Sequence, residues 1–315
     1  MAAPPDITED PHIHVTARGL QRLAGAARDL RFLPRQPARS VLNGRHGSRL
    51  RGRGLNFEEL RDYVDGDDIR TIDWKVTART GSPHVRVYTE ERDRPALLLV
   101  DQRVSMFFGS QVYMKSVIAA EAAALAAHRI LAQGDRVGGL VFTDTTIAEH
   151  QPQRSAAALH RLLASTARAN RGLSADLHVE TPLPIDRVLR AARRITATGG
   201  LILVFSDFDG LTPDSERHIR ALARHNDLLL FQVHDPLMRN LPDRARLPIS
   251  DARQQAELDM GANGQRRAVS DFLDGRLAAL AGWSRRYGAP LLQLSTDQPA
   301  SDQLRRLMGL AEARR

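Results

Sequence analysis

Five short apolar runs recur along the last two-thirds of the chain: Ala96–Val100, Val137–Phe142, Leu201–Phe205, Leu228–Val233 and Pro290–Leu294. They lack the in–out alternation of a half-exposed strand, and each is short enough to be a strand rather than a helix. Unbroken runs of this kind are what a mostly parallel sheet requires, because helices cover both of its faces. Apolar spacing predicts the covering helices over Gln111–Ala132, Ser155–Arg168, Pro184–Ala197, Pro213–Arg224 and Arg266–Tyr287. The order of strands and helices predicts an α/β fold with a doubly wound, mostly parallel sheet.

A chain of 315 residues with 42% hydrophobic side chains can fill such a core. The absence of Cys excludes disulfides, thiolate metal sites and thiol nucleophiles, and fits a reducing, cytoplasmic setting. The net charge of +8 would suit an anionic partner, but every basic residue except Lys75 and Lys115 is Arg, which indicates a compositional bias of the whole chain. Nucleic acid is therefore not the expected partner. Met1–Pro11 has acids and no apolar core, so no signal peptide is expected, and the apolar runs fall far short of the ~18 residues of a membrane span.

Upstream of the alternating region the text changes. A helix is expected over Val15–Leu30, ended by Pro34 and Pro37, and the Arg/Gly segment from Arg45 to Gly54 suits either an anion contact or a solvated loop. Asn56 followed by acids predicts a short capped helix over Asn56–Tyr63, then a turn at Asp65–Asp68 and a strand over Val85–Glu91. Three units follow: 1–43 as N-terminal helix and linker, 44–93 as a small subdomain, and 94–315 as the large domain. Phe57, Tyr63 and Trp74 lie among Asp and Arg in a chain with only 5% aromatics. Arg70, Asp73, Trp74 and Arg79 are thus either a partner-binding face or a small cluster locked by Asp–Arg pairs. A hairpin of Leu247–Ile249 with Ala256–Leu258 is expected before the last long helix.

Ligands of open parallel sheets sit beyond the carboxyl ends of the strands. The first run ends in Asp101-Gln102-Arg103-Val104-Ser105 and the third in Ser206-Asp207-Phe208-Asp209. Two strand-end acids with hydroxyls nearby suit a hard divalent ion, and equally suit helix caps. No nucleophile elbow, P-loop, dinucleotide fingerprint or zinc helix occurs, so the chain is expected not to be an enzyme. Glu121, in the Ala-rich helix, is expected on a solvent-exposed face.

Asp101 to Ser105 resembles the opening of the metal-ion-dependent adhesion site of von Willebrand factor A domains. More closely, Gly66-Asp67-Asp68, Arg70, Ile72-Asp73-Trp74, Ala78-Arg79, Ser105-Met106, Phe108-Gly109, Lys115 and Gly134–Gly138 resemble the bacterial family known as domain of unknown function fifty-eight, over about Gly44 to Arg306. The resemblance implies a von Willebrand A-like domain with a small N-terminal appended unit. It also implies a MoxR-type AAA+ ATPase as partner, with membrane-bound von Willebrand A proteins as further candidates. By the same resemblance the metal ligands would be Asp101, Ser105, Asp207 and Thr181, with Mg²⁺ as the ion. Arg103, however, stands where a hydroxyl ligand belongs. A guanidinium has five donors and no lone pair, so a degenerate site without a cofactor is expected. The expected function is a non-enzymatic adaptor of the ATPase in protein or complex assembly. The alternatives are a divalent-metal-dependent ligand binder and a nucleic-acid-associated protein using the Arg-rich loop.

Overall fold

The computed structural model describes residues 10–28, 30, 55–65, 67, 69–90, 95–196, 198–238, 246–250, 255–259 and 265–308. The Arg/Gly segment 45–54 lies outside them. The chain divides into two compact units, residues 1–34 with 94–315, and residues 35–93.

The N-terminal helix expected as one piece is two, α1 (Ala17–Arg22) and α2 (Ala24–Ala27), parted at Leu23. Gly19 and Gly25 each weaken the helix in turn, and Thr16 caps α1 by accepting the Gly19 N–H at 3.0 Å. Each piece buries an apolar side chain, Leu20 or Ala27. Of the stretch set apart as 1–43 by the sequence, residues 1–34 group with the large unit, where Asn170 Oδ1 accepts from Val15 N at 2.8 Å.

In the small unit, β1 (Leu55–Asp62) pairs antiparallel with β2 (His84–Glu90), and α3 (Trp74–Thr80) lies between them in sequence. The helix expected over Asn56–Tyr63 is thus a strand. Its cap-like Asn and early acids are local signals, and pairing from Leu55↔Glu90 to Asp62↔His84 overrides them. The operative cap is Asp73, whose Oδ1 accepts from Lys75 N at 3.1 Å and Val76 N at 3.2 Å. Gly81 at φ 81° closes α3 in the left-handed conformation that glycine adopts at least cost.

The large unit continues with β3 (Pro95–Asp101), α4 (Lys115–Ala132), β4 (Arg136–Phe142), β5 (Ile147–Gln153), α5 (Ala156–Arg171), α6 (Ile185–Ile195), β6 (Leu201–Ser206), α7 (Pro213–Ala223) and β7 (Asp227–His234). The expected hairpin, β8 (Arg246–Ser250) with β9 (Gln255–Asp259), precedes α8 (Gln265–Tyr287), β10 (Leu291–Ser295) and α9 (Ala300–Met308). The sheet runs β10-β7-β6-β3-β4-β5, parallel throughout except for β5. This is the doubly wound, mostly parallel sheet expected. β5 was not anticipated, since Ile147-Ala-Glu-His-Gln-Pro-Gln is mostly polar; it is an edge strand, where polar residues and Pro are tolerated. At Gly138, beside the register irregularity of this pair, a Cβ would come 2.4 Å from the His150 carbonyl oxygen, so only glycine fits.

One face of the sheet buries α4 and α5 with the N-terminal helices and α9; the other buries α6, α7 and part of α8. Phe205 and Phe231, on the neighbouring strands β6 and β7, stack at 4.6 Å between centroids, worth ~0.5–1.5 kcal/mol beyond their burial. Helix α4 is covered on nearly every side, which explains its alanines: a central helix this close to its neighbours has no room for longer side chains. Glu121 consequently does not face open solvent as expected; it is half-buried, and desolvation raises its carboxyl to about 7 against a smaller opposing effect of His12. No described helix is long and apolar enough to cross a membrane.

Candidate functional site at the carboxyl edge of the sheet

Strands β3 and β6 are neighbours, so their last residues open onto the same edge. Asp101 is fully buried and accepts four kinds of donor. Arg103 gives it its own backbone N–H at 3.0 Å, Nε at 3.0 Å to Oδ1, and Nη2 at 2.7 Å to Oδ2. Ser206 Oγ donates to Oδ2 at 2.6 Å. The guanidinium is itself buried, donates through Nη1 to the Asp209 carbonyl at 3.2 Å, and lies 5.6 Å from the centroid of the Phe142 ring. Burial alone would lower its pKa, but Asp101, Asp207 and Asp209 outweigh that and raise it, so it is a permanent cation.

Asp207 is served by a different cation. Lys115 Nζ, at the first residue of α4, donates to Oδ2 at 2.7 Å, Arg103 Nη2 is 4.0 Å from Oδ1, and Ser105 Oγ is 3.4 Å from Oδ1. Burial pushes this carboxyl up, yet Lys115, Arg103 and Arg276 together hold it well below the ordinary carboxylate range. Arg276 of α8 donates to the Asp207 carbonyl at 3.3 Å and pairs with Asp209. Between them, Phe208 takes φ 56°, and Asp209 N–H turns back onto Asp207 Oδ1 at 3.0 Å.

A third strand-end acid, Asp144 after β4, completes the edge. Its Oδ2 accepts the Val104 N–H at 2.6 Å and so pins the loop carrying Arg103 and Ser105; burial raises its pKa, against the Val104 bond and Arg103. Asp144 was not singled out from the sequence, although the rule that pointed to Asp101 and Asp207, an acid just beyond a buried apolar run, applies to it equally. Lys115 and Arg276 had no such signal. Their reach to Asp207 depends on how α4 and α8 pack.

Asp101, Arg103, Ser105 and Asp207 thus converge, while Thr181 does not. It is exposed, and its hydroxyl makes no hydrogen bond to the acids among the described residues; only the nearby Leu183 N–H reaches this region, at the Asp144 carbonyl, 2.6 Å away. The ligand set implied for Mg²⁺ is therefore incomplete, and two cations stand at hydrogen-bond distance from the acids an ion would need. A hard divalent ion requires oxygen lone pairs and a net negative pocket. The residues present do not fit it.

On the small unit, Trp74 is 67% exposed and Arg70 and Arg79 are exposed, whereas Asp73 is buried and caps α3. The turn before it is held by Arg61, whose two terminal nitrogens reach Asp67 at 2.8 and 2.7 Å.

Fold and edge together define a doubly wound α/β protein whose strand-end acids are neutralised by cations of the same chain. It belongs to the family described as protein of unknown function DUF58, whose model matches residues 59–276. Uncharacterized proteins of Mycobacterium bovis and Mycobacterium tuberculosis are 32% identical to it over 283 residues, covering 88% of this chain and 86% of theirs. A solved structure, the conserved hypothetical protein BatB from Bacteroides thetaiotaomicron, matches with a TM-score of 0.39 and 13% identity over 67% of this chain and 93% of that one.

Proposed function

We propose that this chain is a non-enzymatic protein-interaction module, an adaptor of a MoxR-type AAA+ ATPase in assembling or remodelling another protein or complex. The ATPase supplies nucleotide chemistry; this chain supplies recognition. The observation that carries the reading is the fork of Arg103 on Asp101. With Lys115 on Asp207 it satisfies from within the charges that an adhesion site would offer to a metal, so recognition at this edge would need no ion. The outward Trp74, with Arg70 and Arg79 near it in sequence, suits a protein contact, since exposed Trp and Arg are the side chains most often dominant at interfaces. The module acts in the cytoplasm, where a membrane-bound von Willebrand A protein would recruit it to the inner face.

The test is capture of the MoxR-type ATPase of the same genome by the tagged full chain, with and without ATP. Nucleotide-dependent capture that weakens with Trp74→Ala is expected. No capture in either state overturns the adaptor reading.

A further inference from the structure

Helices α6 and α7 pack side by side on one face of the sheet. Their inner faces are apolar or small: Ile185, Val188, Leu189 and Ala192 on α6, and Ser215, Ile219 and Leu222 on α7. Their outer faces carry exposed arginines at matching intervals, Arg187, Arg190 and Arg194 on α6, and Arg217, Arg220 and Arg224 at and just beyond α7. Spacings of three and four residues put successive guanidinium stems about 4.5 and 6 Å apart along each helix.

The acids of these helices are already engaged. Asp186 accepts from the Thr212 and Ser215 hydroxyls, Asp214 pairs with Arg217, and Glu216 with Arg286 at 2.9 Å. Arg194 is held by Glu149 at 2.7 Å. Among the described residues Arg187, Arg190, Arg193, Arg220 and Arg224 form no ion pair with a carboxylate at 4.0 Å or less, and Arg220 acts on Glu216 only from a greater distance. Between the helices, Arg193 Nη1 lies 3.1 Å from His218 Nδ1. Partial burial, then Arg193, lowers the His218 pKa, with Arg190 adding to this against Asp186 and Asp214, so a neutral imidazole lies against the Arg193 guanidinium and leaves its charge uncompensated.

We propose that the α6–α7 face is a docking surface for an acidic helix of a partner protein. The inference rests on the interaction-module reading and specifies the chemistry of the partner. Carboxylates at i, i+3 and i+7 of a docked helix repeat at the same intervals as the arginine rows, so several forks engage at once. The face carries none of the chain's exposed large apolar residues, which lie at Leu60, Val64, Ile69, Trp74, Val112, Phe272 and Leu307 among the described residues. It therefore offers no aromatic platform for single-stranded nucleic acid and no apolar wedge for a lipid surface.

Fluorescence anisotropy with a short labelled alanine-based helical peptide bearing Glu at that spacing tests this. A peptide of the same composition with scrambled order, a single-stranded oligonucleotide and phosphatidylserine vesicles are run beside it. The striped peptide should bind about tenfold tighter than the scrambled one. The combined Arg190→Glu, Arg193→Glu and Arg220→Glu variant, and its Gln counterpart should the first fail to fold, should lose about tenfold or more. Equal binding of both peptides, stronger binding of the oligonucleotide or vesicles, or no loss in the variants overturns the proposal. Capture of the ATPase separates the two readings. If the ATPase binds the natural protein and the variant equally, the arginine face is not its dock and the adaptor reading stands. If it binds neither, the adaptor reading falls and the peptide result alone decides the face.

Discussion

Replacing Arg103 with Ser separates a site neutralised from within from one built for an ion. The substitution removes the Nε and Nη2 bonds to Asp101 and the Nη1 bond to the Asp209 carbonyl. Asp101 remains fully buried, with the backbone N–H at position 103 and the Ser206 hydroxyl as its donors. Breaking one side of a buried pair costs ~3–5 kcal/mol, and the two surviving bonds place this case near the lower end. Urea unfolding followed through Trp283, buried in the core of the large unit, reads the loss. The new hydroxyl also adds an oxygen ligand where a cation stood, so Mg²⁺ should now bind; at a hundredfold excess over its Kd it would restore about 2.7 kcal/mol. The natural protein should show no Mg²⁺-dependent stabilisation. A variant as stable as the parent would refute Arg103 as the counter-charge of Asp101, and equal stabilisation of both forms by Mg²⁺ would refute the self-neutralised site.

Lys115→Met should destabilise at neutral pH and flatten the acid limb of the pH–stability profile. The folded Asp207 pKa is depressed, so its contribution is present above the unfolded value near 4 and is lost as pH falls below it; urea midpoints across pH 2–7 check this. Glu121→Gln should stabilise at pH 8 and change little at pH 4, because a folded pKa raised from 4.5 to about 7 makes the native state bind the extra proton between those values and lose stability as pH rises through them. Asp73→Ala should cost ~1 kcal/mol through loss of the α3 cap, measured by thermal unfolding of the full chain. Arg79→Ala, on an exposed last turn, should shift stability by no more than about 0.5 kcal/mol, and a loss of several would favour the cluster locked by Asp–Arg pairs over the partner-binding face.

The apolar runs were enough to locate the five parallel strands, because the four inner ones, buried on both faces, must be apolar along their whole length, whatever surrounds them. The Asp101 and Asp207 positions followed from them, since strand ends are where an open sheet exposes side chains. Signals that are only local misled. Asn56 and its following acids look like a helix start, and only the partner strand at His84–Glu90 made that segment extended. Glu121 looks like a surface residue in any helical projection, and only the packing of other helices around α4 enclosed it. Arg103 could be seen from the sequence to be a poor metal ligand. Which acid it grips, that Lys115 takes the other, and that Thr181 stands outside their hydrogen bonds were decided by tertiary structure, because charge pairing turns on the difference between 2.7 Å, as for Arg103 on Asp101 and Lys115 on Asp207, and 4.0 Å, as for Arg103 and Asp207, which lie far apart in the chain.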